Sequence, residues 1–337
     1  MPCPCLRDAR ASIGSAERAL EESRLSDHVA PVHKTLWQSA WDNPILLLAL
    51  TALIWAGHSV VGRLAVGQIA PMTLTTARWA LALGPIVWAA RGTLRRDLKV
   101  LRPHWVFVGA MGALGFTGFN ALFYAAAHST GALNMSIIQG AIPALVLIGA
   151  RVAFGVRITA MQALGTLATM IGVAAIAAHG EWSRLATFAF SPGDLLMLLA
   201  TVFYAFYTLG LRERPDVSGL GFLAAMAFAA LVTSIPLFVI EVARGEFIWP
   251  TGLGLLLLVY VALGPAFLAQ VLYMRGVQLI GPGRAGVFVN LVPLFGALMA
   301  IGLLGEPFAA YHLLALALVV GGIAIAQRAP AASGPRR

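Results

Sequence analysis

Between Pro44 and Gln327 the chain alternates long apolar stretches with short breaks marked by proline, glycine or charge, and it does so ten times. The stretches run over 44–66, 71–91, 103–125, 130–150, 158–179, 190–212, 218–243, 251–278, 282–304 and 308–328. Each is long enough to cross a hydrocarbon layer, which takes about 20 apolar residues in a helix. A helix satisfies its own backbone donors and acceptors, which lipid cannot do, so the pattern predicts an all-α integral membrane protein with ten transmembrane helices. Pro44, Pro71, Pro103, Pro250 and Pro307 stand at or just before the predicted helix starts, where a missing N–H costs nothing. The breaks are short enough that consecutive helices must be antiparallel neighbours, and no extramembrane domain fits after residue 43.

Composition agrees, with 59% hydrophobic and only 11% charged residues. Charge adds an orientation. With the N-terminus inside, nineteen of the lysines and arginines fall on the inner side, five of them in the 91–102 connection. Arg63, Arg184 and Arg244 fall on the other side, and Arg78 lies within a span. That asymmetry predicts cytoplasmic termini at both ends. The net charge of +9 is then mainly a topology signal, and no nucleic-acid partner is expected. Residues 1–43 are polar, mixed in charge and contain both cysteines, Cys3 and Cys5. They are expected to be a disordered, reduced cytoplasmic tail, with no apolar segment of a secretory signal. Residues 329–337 form a short basic tail.

Sliding the chain by 150 residues aligns spans three to five with spans eight to ten without a gap. Gly131 meets Gly281, Pro143 meets Pro293, Gly155 meets Gly305 and Gly172 meets Gly322. A shift of 149 brings Trp55 and Arg63 onto Tyr204 and Arg212. The membrane part therefore divides into five-helix repeats, 44–179 and 190–328. Five is odd, so the second copy must enter from the opposite side. Inverted repeats of this kind are typical of transporters, whose halves rock around a midplane site.

The stretches Leu53-Ile54-Trp55-Ala56-Gly57-His58-Ser59, Thr76-Ala77-Arg78-Trp79, Phe123-Tyr124-Ala125-Ala126, Ile142-Pro143-Ala144 with Val292-Pro293-Leu294, and Leu304-Gly305-Glu306-Pro307 carry a shared signature. Together they resemble the EamA-type family of the drug/metabolite transporter superfamily. The resemblance covers roughly 44–328 and is specific for fold and topology, not for substrate. It implies efflux of metabolites or amino acids across a bacterial inner membrane. One departure is that the Gly-Glu of the second half is Gly155-Val156 in the first, a loss expected to bear on helix capping more than on transport.

Ionisable groups inside spans are costly and are the first candidates for function. Arg78 lies about seven residues into its span, roughly 10 Å along the axis. It is either an anchor for a substrate carboxylate or a structural, snorkelling arginine, and the family's habit of a basic residue here keeps the first reading open. Trp55 and His58 share a helix face, with Tyr204 and Tyr207 at the matching positions of the second half. The four are read as aromatic thresholds of one cavity or as interfacial belt residues. Asn120 aligns with Gln270, and each precedes an aromatic by about a turn, Phe123 or Tyr124 and Tyr273. Asn134, Gln139 and Asn290 are further amides that either line a polar path or tie helices together. Gly109, Gly112, Gly115 and Gly118 point to tight packing or a bend in the third span.

No Asp or Glu lies in the middle of a span: Asp194 is at an entrance, Glu241 near an exit and Glu306 in a loop. This favours exchange, uniport or coupling through a histidine over carboxylate-based coupling. No phosphate-binding Gly-Lys-Ser/Thr motif supports ATP-driven pumping. The seven histidines are scattered, and neither a metal cluster nor a Ser–His pair is evident, so no metal, no cofactor and no enzyme activity are expected. The expected function is secondary transport by alternating access, with export of amino acids or related small metabolites ahead of drug efflux and a membrane-embedded enzyme a distant third. The lipid bilayer and a small-molecule substrate are the expected partners, with a homodimer left open.

Overall fold

The computed structural model describes residues 36–181, 191–280, 285 and 288–328, and every regular element among them is helical. The chain divides into two units, Met1–Asn43 and Pro44–Arg337. Of the first, the described part includes a short helix, Leu36–Trp41, where an unstructured tail was expected. Cys3, Cys5, Arg184, Gly281, Arg284 and the 329–337 tail lie outside the described residues.

The second unit opens with α1 (Pro44–Leu64) and α2 (Pro71–Ala90). The 91–102 connection, expected to be a loop, carries the short amphipathic helix α3 (Leu94–Leu101), which buries Leu101 and Asp97. The chain then runs through α4 (Trp105–Gly112), a π-helical segment at Ala113–Gly118 and α5 (Phe119–Ala126). What was expected as one fourth span is broken at Gly140 and Ala141 into α6 (Ala132–Gln139) and α7 (Ile142–Phe154). After α8 (Ala160–Ala177) the second half follows with α9 (Pro192–Gly210) and α10 (Gly219–Ala243). Next come α11 (Gly252–Leu263), a π-helical segment at Gly264–Leu268 and α12 (Ala269–Ile280). The described residues end in α13 (Leu291–Leu304) and α14 (Ala310–Arg328).

Local chemistry explains the ends. Pro71 and Pro192 stand in the first turn of α2 and α9, where proline is preorganised. Thr159 and Gln162 form a reciprocal capping box at the start of α8, and Ser218 and Thr251 cap α10 and α11 through their side-chain oxygens. Helices α7 and α13 end at Gly155 and Gly305, at φ 65° and 63°, a left-handed conformation that glycine adopts without a Cβ penalty.

By length and composition, six helical runs can cross a membrane: Pro44–Leu64, Leu94–Ala126, Ala132–Phe154, Pro192–Glu213, Gly219–Ala243 and Gly252–Ile280. Three further apolar helices are shorter, over Ala160–Ile176, Leu291–Leu304 and Ala310–Ala326. The protein is a multi-pass helical membrane protein.

The packing obeys the 150-residue relation. Helix α1 packs on α12 and α13, while its counterpart α9 packs on α5 and α7. Helix α2 packs on its own counterpart α10, and α8 on α14. Exchanging the halves leaves this set of pairs unchanged. Each half sends its first helix into the other, so the halves interlock around one seam. The α8–α14 pair is tight because Gly165 lies against Gly322, where a Cβ on either would fall on the other's carbonyl oxygen. Small residues let helix backbones approach closely in this way. The two π-helical segments also sit at equivalent places, since Ala113–Gly118 shifted by 150 residues overlies Gly264–Leu268.

Candidate functional site

Arg78 organises the seam. It lies on α2 with only 5% of its surface exposed. Its Nη1 donates to Nε2 of His58 at 2.9 Å, to the hydroxyl of Tyr124 at 3.1 Å and, more closely, to Oδ1 of Asn120. The guanidinium carbon sits 5.1 Å from the centre of the Trp79 ring, within cation–π range. Arginine carries donors only, so Nε2 of His58 accepts. The hydroxyl of Tyr124 donates to the same nitrogen at 2.8 Å. His58 is held further by stacking on Phe123, with ring centres 4.4 Å apart. Every one of these partners is neutral as it accepts. Among the described residues no carboxylate lies within 4 Å of Arg78, and its buried Nε has no partner. A buried cation without a counter-charge is a costly arrangement.

The guanidinium faces a cavity of about 140 Å³ at the seam of the two halves. Its walls are repeat-related. Asn120 and Gln270 enter from α5 and α12, each two residues after the end of its π-helical segment. A π turn inserts one residue into a helix and redirects the side chains that follow it, and such turns are frequent at functional sites. Nδ2 of Asn120 donates back to the Phe116 carbonyl at 2.5 Å, fixing its oxygen toward Arg78. Trp55 and Tyr204 enter at matching positions, as do Pro143 and Pro293, and Gly140 and Asn290. Trp55 is oriented by donating from its indole to the carbonyl of Pro265, inside the second π-helical segment, at 3.3 Å. Gln139 donates to Ser59 at 3.1 Å from the break between α6 and α7. Trp79, Phe116 and Phe119 complete an aromatic wall, with Trp79 and Phe116 stacked at 4.5 Å.

Of the residues singled out from the sequence, Trp55, His58, Arg78, Asn120, Gln139, Tyr204, Gln270 and Asn290 line this cavity. Tyr124 stands behind Arg78 and His58 as their hydrogen-bond partner. Tyr273 packs on Trp55 at 5.4 Å and Tyr207 on Phe116 at 5.6 Å, so both support the walls. Asn134 lies elsewhere: it reaches Asp194 at 3.4 Å and borders a second cavity, of about 500 Å³, with Arg63, Glu306 and His312. Phe116 and Phe119 were not among the candidates read from the chain, and Trp79 stood there only within the Thr76-Ala77-Arg78-Trp79 stretch that carries the family resemblance.

The carboxylates nearest the bundle's ends hold structure together. Glu306 accepts the backbone N–H groups of Ala132 and Leu133 at the start of α6, at 2.8 and 2.9 Å. Glu241 accepts from Met72 N–H and from the N–H and hydroxyl of Thr73 at the start of α2. Asp97 accepts the hydroxyl of Ser218, the cap of α10. Asp194, fully buried, accepts from the Thr130 hydroxyl at 2.5 Å and lies 3.3 Å from Nε2 of His179. In the connection between α5 and α6, burial and then the Arg63 guanidinium hold His128 below its ordinary pKa, with Glu241 opposing. No group of three or more metal-ligating side chains occurs among the described residues.

Comparison with known proteins agrees with this architecture. The profile of the EamA-like transporter family matches the chain twice, over residues 43–178 and 191–327. The uncharacterized transporter YyaM of Bacillus subtilis is 25% identical over 83% of this chain and 91% of its own length. An uncharacterized protein of Pseudomonas aeruginosa is 32% identical over 83% of this chain and 93% of its own. A crystal structure, 20% identical, shares the fold at a TM-score of 0.59 and covers 84% of this chain and 96% of that one.

Proposed function

Because the chain belongs to the EamA-like transporter family, and is a membrane transporter on that ground, we propose that it is a secondary carrier exporting amino acids or related carboxylate-bearing metabolites across a bacterial inner membrane. Ten transmembrane helices in two inverted repeats, with both termini in the cytoplasm, are the topology of this reading. It draws on the Lys/Arg asymmetry of the connections and on the matched positions of the two halves.

One observation carries the proposal: a buried arginine, unpaired with any described carboxylate, faces a cavity of amides and aromatic rings at the seam of two interlocked repeats. A solute carboxylate is the natural partner for that guanidinium, through charge-assisted bonds. The amides orient its polar groups and the rings accept its apolar body. Rocking of the halves about the seam then exposes the cavity to each side in turn. The aromatic wall would also accept lipophilic drugs, which keeps drug efflux as a second reading, although Arg78 repels the cationic members of that class.

The test is saturable uptake of radiolabelled amino acids and metabolites into proteoliposomes, with and without an imposed pH gradient. Uptake that is lost in Arg78→Ala, with insertion unchanged, supports the reading. Wild-type rates in both Arg78→Ala and Arg78→Gln would remove the anchor. No movement of any solute by folded protein would remove the transport assignment itself.

A further inference from the structure

From the charge balance of this cavity we infer that its substrates are net-anionic carboxylates without a cationic group, such as 2-oxo acids, and that their export is electrogenic and driven by the membrane potential. This rests on the transporter reading and keeps, of its two substrate classes, the carboxylate-bearing metabolites in place of the amino acids.

The argument begins with what the cavity contains. Arg78 is the one fully charged side chain among the described residues that line it. His58 adds no second charge in this arrangement, because its Nε2 accepts from both Arg78 and Tyr124. The described carboxylates whose bonds are set out above are committed to helix starts and connections. The site therefore offers a receptor for a carboxylate and no counter-charge for an ammonium. An α-amino acid carries its ammonium one carbon from the carboxylate, so a carboxylate docked on Arg78 brings that ammonium within a few ångströms of the guanidinium. In a buried site this repulsion is weakly screened. A 2-oxo acid of the same skeleton puts a carbonyl oxygen there instead, which the amide donors of the cavity can meet.

The energetic consequence follows from the same count. The empty site carries one positive charge, and the site loaded with a monoanion carries none. When the carrier returns empty, each cycle therefore moves one net charge. A negative interior drives an anion outward, so export needs neither a nucleotide nor a membrane-embedded carboxylate to carry protons.

The test uses the full chain in proteoliposomes and matched solutes: the 2-oxo acids and amino acids with the skeletons of alanine, leucine and phenylalanine, with tetraphenylphosphonium as a cation. Valinomycin and an inward potassium gradient of about tenfold make the lumen positive. The expected result is accumulation of at least one oxo acid to about tenfold, collapse of that accumulation without the gradient, and competition by its amino acid at least about tenfold weaker. In Asn120→Asp, which places a carboxylate against Arg78, oxo-acid uptake should fall about tenfold or more. Four results overturn the inference: equal or better transport of the amino acids, oxo-acid uptake indifferent to potential, undiminished uptake in Asn120→Asp, or movement of the cation alone. These leave the transporter reading standing. If no solute of any charge class moves, both fall.

Discussion

Glu306 and Ala132 lie in different halves of the protein, and the carboxylate of the first accepts the backbone N–H of the second at 2.8 Å. With Leu133 at 2.9 Å, the contact pins the start of α6 to the connection that follows α13. A carboxylate at a helix start satisfies orphan donors and meets the positive end of the helix dipole. The position equivalent to Glu306 in the first half is Val156, which can make no such bond. Among the described residues the clasp therefore exists at this end of the bundle and has no counterpart at Val156. Glu306→Ala should weaken closure at that end by about 1.4 kcal/mol or more, a shift of about tenfold. Impermeant maleimide should then label Ser136→Cys, at a position buried in the wild type, about tenfold faster when Cys3 and Cys5 are replaced. Unchanged labelling would show that the clasp does not control access.

Glu241 does the corresponding work for α2 through three hydrogen bonds, to Met72 N–H, Thr73 N–H and the Thr73 hydroxyl. Arg78 follows five residues later on the same helix. Removing the carboxylate leaves buried donors unsatisfied, at about 1–3 kcal/mol each. Glu241→Ala is expected to lower the melting temperature in detergent markedly and to reduce flux as well, with Glu241→Gln intermediate. A melting curve for Glu241→Ala that overlays the wild type would remove the structural role assigned to this residue.

The four glycines of the third span separate into different classes once neighbours are known. A Cβ on Gly115 would overlap the ring of Tyr207, and one on Gly112 would meet the Met226 carbonyl at 2.9 Å, whereas Gly109 has nothing within 4 Å. Gly115→Ala is expected to abolish flux or folding, because a ring wedged between α9 and the π-helical segment cannot retreat. Gly109→Ala is expected to be neutral or slightly stabilising, since alanine is the better helix former by about 1 kcal/mol. Expression and melting of the pair decide it: equal behaviour would contradict the placement of Tyr207.

Those glycines also illustrate what was legible in the chain and what was not. The spacing Gly109, Gly112, Gly115, Gly118 announces close packing without saying against what, because the packing partners lie on α9 and α10, far along the chain. Helix ends were legible where Pro71 opens α2, and Gly155 and Gly305 act through their own backbone geometry, whereas the Thr159 cap of α8 works through its side chain and was not singled out. The helix at Leu94–Leu101 was hidden by its arginines, although Leu94, Leu98 and Leu101 have helical spacing. The π-helical segments leave no compositional mark, yet they aim Asn120 and Gln270 into the cavity. Asn120, Gln270, Trp55 and Tyr204 could still be found from the repeat, because equivalent positions of two interlocked halves converge on one seam. Asn134 belonged to no such pair among the amides, and it lies on the other cavity, bonded to Asp194.

Tyr124 tests whether Arg78 is held for binding or for the fold. Its hydroxyl donates to His58 and accepts from Arg78, yet it does not line the cavity. Tyr124→Phe keeps the ring that packs edge-on against Phe123 at 5.5 Å and removes only the oxygen. A neutral hydrogen bond is worth about 0.5–1.5 kcal/mol and one to a charged group about 1.5–3 kcal/mol. The loss should therefore appear as a weaker apparent affinity for the transported solute, by about two- to 150-fold, as the guanidinium and imidazole lose their shared partner. Maximal flux should change less, because the oxygen touches no solute. If Arg78 is instead a structural arginine, Tyr124→Phe should lower the melting temperature while leaving apparent affinity unchanged. Transport kinetics and thermal unfolding of this one variant separate the two roles.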